Sequence, residues 1–351
     1  MSKSNWRGKN GPLLIAEIGG NHEGDFEYAK KLVKLAIETR VDIIKLQLYQ
    51  GKTLVSPFES KDRFEHFKKF ELTKKEHIYL AQMCIDSKTK YLSSIWDLDM
   101  LDWVDDFLEY YKIGSGDLTA YPIIKEFCKK GKPIIISTGL SDLEDIKKSV
   151  DFIQNQNPIY KNKNYLAILQ CTSSYPTLDE EVNLRVIQTL KNETKMTIGY
   201  SNHNIGSLAL RGAYLCGAEV FEFHFTDTRE GKSFRDHKIS LTPTETKDLI
   251  NDFKKKPNEI KINKSETDRL AILMGNKEKK PTKGEISSNN LISFRRAIYS
   301  NKFLNKGDKL KEEDLVFLRP NHGIDSREYK KIIGKKIKKN TQPFEKLELE
   351  S

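Results

Sequence analysis

The chain has 351 residues, enough for one large domain with a small one or for two medium domains. Its 37% hydrophobic and 10% aromatic residues are typical of a globular protein and exclude a disordered one. No stretch approaches the ~18–20 apolar residues of a membrane span, and the N-terminus has no apolar signal core. Four widely spaced cysteines without a CxxC pair exclude a disulfide framework, so we expect a reduced, cytoplasmic setting.

The formal net charge of +10 is confined to one end of the chain. Residues 251–351 hold 25 basic and 15 acidic side chains, whereas residues 1–250 are balanced. The lysine-rich run 330–339 is compatible with nucleic-acid binding. However, Ile332, Ile333 and Ile337 interrupt it at a spacing typical of buried side chains, and we interpret it as a solvated face. The charge distribution predicts a large balanced domain followed by a small basic one.

Short apolar runs alternate with amphipathic patterns over the first 262 residues. Strands are predicted at 13–18, 42–48, 91–95, 110–114, 133–137, 165–171, 196–200 and 219–225. Helices are predicted at 25–39, 73–88, 97–108, 120–130, 142–155, 180–192, 206–216 and 244–255. Eight strand–helix pairs predict a (β/α)8 TIM barrel. A doubly wound open sheet is the alternative, although no GxGxxG turn follows the first strand.

The remaining chain has a different character. Residues 263–290 are polar and predict a linker. From Leu291 onward, SFRRAIYS and DLVFLRP predict short strands around an NKGDKL turn. We therefore expect a barrel domain over 1–262, a linker over 263–290 and a small β-rich domain over 291–351.

Functional side chains of a (β/α)8 barrel lie at the C-terminal ends of its strands and in the loops that follow. Polar residues recur at these positions. They are Glu17, Lys45, Gln47, Ser94, Lys112, Ser115, Asp117, Ser137, Thr138, Ser173, Tyr175, Ser201, His203, Glu222 and His224. Charged groups inside a barrel are costly unless they are paired or bound to a ligand. The period of two along a strand places Lys45 and Gln47 on one side and Leu46 on the other.

One subset of these residues predicts an anion site. Lys45 and Lys112 supply positive charge, and hydroxyls and loop N–H groups at 114–116 and 137–139 supply directional donors for phosphate or carboxylate. Ordinary turns between strand and helix are the alternative for either loop. Arg319, in a loop before proline, is a further candidate contact for an anionic ligand.

A second subset predicts a metal site. His203 and His224 end neighbouring strands, and two histidines with a carboxylate form a common catalytic metal site. Glu17, Glu222 and Asp236 are the candidate carboxylates. The alternative is two structural, hydrogen-bonded histidines.

Ordered motifs carry a family resemblance over nearly the whole chain. They are AEIGGNHEGD (16–25), IIKLQLY (43–49), YKIGSGDL (111–118), PIIISTGLS (133–141), LQCTSSYPT (169–177), GYSNHNIG (199–206), FEFHFT (221–226) and DHKISL (236–241). With them the chain resembles the N-acetylneuraminate (sialic acid) synthase family, including legionaminate and pseudaminate synthases. Residues 294–324 resemble that family's SAF (antifreeze-like) domain.

The resemblance implies that phosphoenolpyruvate (PEP) condenses with the aldehyde of an N-acetylated hexosamine, either N-acetylmannosamine or a diacetamido-trideoxyhexose. The products are a nine-carbon 2-keto acid and phosphate. It also implies a divalent metal, Mn²⁺ or Mg²⁺, and a domain-swapped homodimer in which one chain's SAF domain covers the other's barrel. No nucleic acid or membrane partner is expected.

The motifs also imply roles for individual residues. Lys45, Lys112, Ser115, Ser137, Ser173 and Ser201 would bind PEP, with Glu17, Lys45 and Lys112 catalytic. His203 and His224 would bind the metal. Gln47, Asp117, Tyr175 and Asp236 would contact the sugar, and Arg319 of the partner chain would reach its N-acyl group.

The sequence departs from the family pattern mainly on the sugar side. Phe223 stands where many members have a basic residue, Asn202 replaces an aspartate, and FRDH (234–237) replaces GPDH. The sugar is therefore not identified by the motifs. Two other functions remain open: a Schiff-base aldolase with Lys45 or Lys112 as nucleophile, and a catalytically inactive protein that binds carbohydrate or nucleic acid.

Overall fold

A closed parallel barrel forms the larger part of the protein. The computed structural model describes residues 5–350, so residues 1–4 and 351, which end two of the predicted domains, lie outside the described residues. The barrel strands are β1 (Gly11–Glu17), β2 (Ile43–Leu48), β3 (Lys90–Ile95), β4 (Tyr111–Ile113), β5 (Ile134–Ser137), β6 (Leu166–Cys171), β7 (Thr197–Asn202) and β8 (Val220–His224). Each strand pairs with the next, and β8 pairs with β1, where Glu17 lies opposite His224. The predicted barrel is confirmed, and the open-sheet alternative is wrong.

Fifteen α-helices lie within residues 5–350. They are α1 (Phe26–Thr39), α2 (Gly51–Leu54), α3 (Lys61–Phe70), α4 (Lys74–Asp86), α5 (Leu101–Val104), α6 (Tyr121–Lys130), α7 (Leu143–Gln156), α8 (Val186–Thr194), α9 (Leu208–Leu215), α10 (Arg235–Ile239), α11 (Pro243–Phe253), α12 (Lys264–Met274), α13 (Lys283–Ser287), α14 (Asn290–Ser293) and α15 (Tyr329–Ile332). Over the same residues, no helix is both long and apolar enough to cross a lipid bilayer.

Helix starts follow local capping chemistry. The Asp25 carboxylate accepts from the backbone N–H of Tyr28 at the start of α1, and Thr73 with Glu76 forms a capping box at α4. Each such cap stabilises a helix by ~1 kcal/mol, because it provides a partner for a helix N–H that has none inside the helix. These starts could be predicted because the signals are local in sequence.

Alternating side chains divide the apolar core into two layers. Leu46 and Phe223 pack in the cluster between the strands and the helices. Inside the barrel, Leu13, Leu92 and Trp6 belong to a second, fully buried cluster. Burial of each large apolar side chain contributes roughly 1.5–3 kcal/mol. This inner cluster fills the interior below the polar residues at the strand ends.

A small module follows the barrel. Strands β9 (Ala297–Ser300) and β10 (Leu315–Leu318) form a two-stranded antiparallel sheet, and isolated bridges such as Leu304 to Thr341 add further pairing. Ile298 and Ile337 are in its own small core. The module packs on the barrel of its own chain, with backbone bonds from Arg319 to Leu54 and from Ser56 to Arg319. Within this chain, Arg319 contacts its own barrel, and α13 and α14 fold back over the same barrel; the partner-chain position that the resemblance implied for Arg319 stays a prediction.

Candidate active site

A cavity of about 660 Å³ opens at the C-terminal ends of the barrel strands. Its volume lies in the range of small-molecule sites. Most of the predicted site residues line it: Glu17, Lys45, Gln47, Lys112, Ser115, Ser137, Ser173, Tyr175, Ser201, His203, His224, Asp236 and Arg319. The structure therefore brings the lysines and the histidines to one cavity, as the strand-end positions predicted.

Two buried ion pairs form the centre of the cavity. Lys45 Nζ lies 2.6 Å from Glu17 Oε2, and Gln47 donates to the other Glu17 oxygen at 3.1 Å. Lys112 Nζ donates to Ser137 Oγ at 2.7 Å and lies 3.6 Å from Glu222 Oε2. All four charged side chains are less than a tenth exposed. A ligand charge beside these side chains would interact with them at short range and with less screening than in bulk water.

The surroundings shift the pKa values of the Glu17 and Glu222 carboxyls in opposite directions. Burial, reinforced by Glu222 and opposed by Lys45, raises the pKa of Glu17. Burial also disfavours the charged form of Glu222, but Lys112, Lys45 and two histidines outweigh it and lower the pKa of Glu222. Burial lowers the pKa of Lys112, whereas the nearby carboxylates outweigh burial at Lys45 and raise its pKa. Paired carboxyls with opposite shifts are typical of sites that hold one proton and one negative charge.

Two of the loop N–H groups predicted as anion donors are already engaged within the protein. Gly139 N–H donates to Ser115 Oγ at 2.9 Å, and Thr138 N–H donates to the backbone oxygen of Leu169 at 3.1 Å. For these two N–H groups the prediction of anion contact is wrong. Lysine ammonium groups and serine hydroxyls line the cavity as further donors.

The two histidines lie side by side, with ring centroids 5.4 Å apart. The His203 Nδ1–H donates to the backbone oxygen of Thr172 at 2.7 Å, which leaves Nε2 with a free lone pair. His224 Nδ1 is buried without a hydrogen-bond partner, 3.8 Å from Asp236 Oδ2. Within residues 5–350, no three His, Cys, Asp or Glu side chains converge as a complete ligand set. The pair fits a divalent cation whose remaining positions are completed by substrate or water.

Asp117 does not lie on the cavity wall, which contradicts its predicted contact with the sugar. Its carboxylate accepts hydrogen bonds from Arg296 Nε at 2.7 Å and from Arg319 Nη2 at 3.1 Å, and all three side chains are buried. Both oxygens are therefore occupied. Asp117 joins the loop after β4 to the C-terminal module.

Sequence reasoning missed one wall of the cavity. Helix α3, which had not been predicted, contributes Arg63, His66 and Phe67, and Trp96 and Phe294 add aromatic surface. The available signal was the spacing of phenylalanines at 64, 67 and 70 on a short helical turn pattern. The charged residues between them masked that pattern. Glu222, predicted as a polar strand-end residue and as a candidate metal ligand, also lines the cavity.

The closed parallel barrel and the site at its C-terminal face define a barrel enzyme for small anionic substrates. Residues 32–262 match the NeuB family, and the chain belongs to that family. It is 33% identical to N,N'-diacetyllegionaminic acid synthase of Legionella pneumophila, over 93% of this chain and 91% of that protein. The family resemblance seen in the motifs is thereby confirmed.

Two solved structures are similar to this one. The N-acetylneuraminic acid (sialic acid) synthetase of Leptospira borgpetersenii, crystallised with citrate, is 27% identical, with a TM-score of 0.63 over 82% of this chain and 91% of that one. The spore coat polysaccharide biosynthesis protein spsE of Bacillus subtilis is 24% identical, with a TM-score of 0.78 over 97% of this chain and 95% of that one. At 24% identity, the similarity to spsE shows the fold alone.

Proposed function

We infer that this chain condenses PEP with the aldehyde of an N-acetylated amino sugar, giving a sialic-acid-like nonulosonate and phosphate. The observation that carries this conclusion is the cavity of a NeuB-family barrel in which Lys45, Lys112 and four serines surround Glu17 and Glu222. The Legionella relative is named as a synthase of such a sugar acid. The SAF character of the C-terminal module, the homodimer and a cytoplasmic location remain predictions.

Binding of PEP would rest on the lysines and the serine hydroxyls. Lys45 and Lys112 neutralise the carboxylate and the phosphate, and Ser137 is already oriented by its bond from Lys112. PEP carbon 3 attacks the aldehyde carbon, and positive charge develops at carbon 2. The Glu222 carboxylate lies beside Lys112 and stabilises that charge, and Glu17 lies beside Lys45 as the acid–base group. Water then adds to carbon 2, and the tetrahedral intermediate loses phosphate.

His203 and His224 would hold the divalent cation. The chemistry that such a cation supplies when bound is Lewis-acid activation of the acceptor's carbonyl group. Thr172 fixes the orientation of His203 through its carbonyl oxygen. Gln47, Tyr175, Asp236 and Arg319 line the same cavity and would bind the sugar, with Arg319 contacting its N-acyl group.

The test is turnover by the full chain with PEP, Mn²⁺ and a panel of acceptors, including N-acetylmannosamine and diacetamido-trideoxyhexoses. We expect phosphate release matched by a 2-keto acid product, and loss of both after EDTA treatment with recovery on adding Mn²⁺. Borohydride trapping of a carbonyl substrate on Lys45 or Lys112, with activity insensitive to EDTA, would instead identify a Schiff-base aldolase.

A further inference from the structure

The linker before the C-terminal module contacts the loops that carry the serines of the cavity. Leu140 lies in the loop after β5, and Ser173 lies in the loop after β6. The backbone N–H groups of both residues donate to the same oxygen, Glu285 Oε1, at 2.8 and 2.6 Å. Glu285 belongs to α13 and is fully buried. One linker carboxylate therefore bridges two loops that are separate in sequence.

The carbonyl groups of the same two residues are held by the last residue of the linker and by the module that follows it. Asn290 Nδ2 donates to the Ser173 oxygen at 2.8 Å, and Arg295 Nη2 donates to the Leu140 oxygen at 2.9 Å. Leu140 has a φ of 63°, a backbone conformation that residues other than glycine rarely adopt. The backbone at Leu140 and Ser173 thus depends on the linker and on the start of the module for its orientation.

These loops are packed too closely to move independently. A Cβ atom on Gly139 would lie 2.2 Å from Ser173 Oγ, 2.9 Å from Ser115 Oγ and 3.1 Å from Glu285 Oε1. The two hydroxyls on the cavity wall and the linker carboxylate therefore meet around one glycine. A shift of Glu285 would be transmitted to both hydroxyls.

We propose that Glu285 is a positioning residue for PEP. It holds the backbone at Leu140 and Ser173 so that the neighbouring serine hydroxyls face the substrate. The proposal rests on the proposed function and adds a residue to it. Glu285 is not on the cavity wall and acts through Ser173. The linker is accordingly part of the PEP site and more than a connection between two domains.

Glu181, in the loop after β6, offers a matched control because it holds the same helix from the barrel side. Its carboxylate accepts from the backbone N–H of Gly284 at 2.7 Å and from the Thr282 hydroxyl at 3.2 Å. It therefore fixes α13 as Glu285 does, but its carboxylate has no bond to Leu140 or Ser173. Loss of linker anchoring alone should follow Glu181→Ala as well as Glu285→Ala.

The experiment measures the KM for PEP, the KM for the acceptor and kcat in the full-length enzyme with Mn²⁺. We expect Glu285→Ala to raise the KM for PEP by about tenfold or more, with the acceptor KM nearly unchanged. Glu285→Gln retains one oxygen that can accept both N–H bonds, so its KM for PEP should stay within about threefold of the wild type. A wild-type KM for PEP in Glu285→Ala, or the same increase in Glu181→Ala, would overturn the proposal.

Two further measurements cover the case in which Glu285→Ala does not fold. Asn290→Ala removes the bond to the Ser173 carbonyl and leaves Glu285 in place; although Asn290 also lines the cavity, this variant should raise the KM for PEP selectively. An unchanged value would contradict the proposal. The thermal shift produced by PEP alone requires no turnover. If PEP does not stabilise the wild type, the proposed function fails as well. If PEP stabilises the wild type and Asn290→Ala equally, and their KM values also match, only the positioning role fails.

Discussion

Lys112 is a buried cation whose neighbours leave it available to a ligand. Its ammonium contacts Ser137 and lies 3.6 Å from Glu222, a looser pair than the 2.6 Å contact between Lys45 and Glu17. We expect Lys112→Ala to lower kcat/KM for PEP by at least about 100-fold, because transition-state charge would lose a preorganised partner. Steady-state kinetics with PEP as the varied substrate measure this change.

The exposed Lys147, which pairs with Glu193 on the outer surface, provides the control for removal of a positive charge. Lys147→Ala should leave kcat/KM for PEP near the wild-type value. Activity retained by Lys112→Ala would show that the anion site has been misplaced in the cavity.

At the level of single residues, the sequence was informative wherever a functional side chain sits on a regular strand. The period of two was enough to place Lys45 and Gln47 on the inside and Leu46 on the outside. Asp117 could not be assigned in this way, because its partners Arg296 and Arg319 are about 180 and 200 residues away in the chain. Its role depends on how two domains pack, which no local pattern encodes.

Helix α3 forms a wall of the cavity whose chemistry differs from that of the buried ion pairs. Arg63 and Phe67 face the cavity, and burial together with Arg319 and Arg235 lowers the pKa of Arg63 to about 9. An aromatic ring beside a guanidinium suits a sugar bearing an acyl group, since it offers both apolar surface and a donor. We therefore assign α3 to the acceptor.

Phe67→Ala should raise the KM for the acceptor by about tenfold and leave the KM for PEP unchanged, because aromatic contacts of this kind contribute roughly 0.5–1.5 kcal/mol beyond burial. Glu65→Ala, an exposed position on the same helix, is the control for a change in helix stability. An equal rise of both KM values would place α3 outside the acceptor site.

At the level of elements, the barrel could be predicted because strand runs and caps are local signals. Strands β1 to β8 lie within a few residues of the predicted runs, and the predicted helices 25–39, 73–88 and 142–155 begin at residues that are their N-caps in the structure, Asp25, Thr73 and Asp142. Helix α3 was not predicted because its apolar residues are separated by lysines and acids. The contacts of α13 with the loops after β5 and β6 depend on tertiary packing.

Domain docking depends on one fully buried carboxylate. Arg296 and Arg319 hold Asp117, and Arg295 of the same segment bonds the loop after β5. Removing one partner of a buried ion pair typically costs about 3–5 kcal/mol, because the remaining charges stay buried without compensation. Asp117→Asn should therefore lower the free energy of unfolding by about that amount, measured by denaturant unfolding. A loss below 1 kcal/mol would show that the contact contributes little to docking.

The same contact predicts a pH dependence. Burial disfavours the Asp117 carboxylate, but the two arginines outweigh burial and lower its pKa. Because the pKa of Asp117 is lower in the folded state, its contribution to stability is fully present above the ordinary Asp pKa of about 3.9. This contribution is lost as the pH falls through the pKa of the folded state. The difference in unfolding free energy between wild type and Asp117→Asn should be constant from pH 7 to 5 and shrink below pH 4. A constant difference down to pH 3 would contradict the assignment.

The arrangement of the whole molecule determines which chain completes each active site. Arg319 lies at the mouth of its own barrel in this structure, whereas a swapped dimer would supply it from the partner. Lys112→Ala inactivates the barrel side of a site and Arg319→Ala inactivates the module side. Coexpression of the two variants therefore distinguishes the arrangements.

We expect no recovery of activity when the two variants are coexpressed, because every site would combine one chain's barrel with the same chain's module. In a swapped dimer, half of the dimers would be mixed and one of their two sites would be intact, so about a quarter of wild-type activity would return. Light scattering on the coexpressed sample gives the oligomeric state independently. Recovery near a quarter, in a sample that is dimeric, would show that the module closes the partner's barrel and that the contact between Arg319 and Asp117 forms between chains.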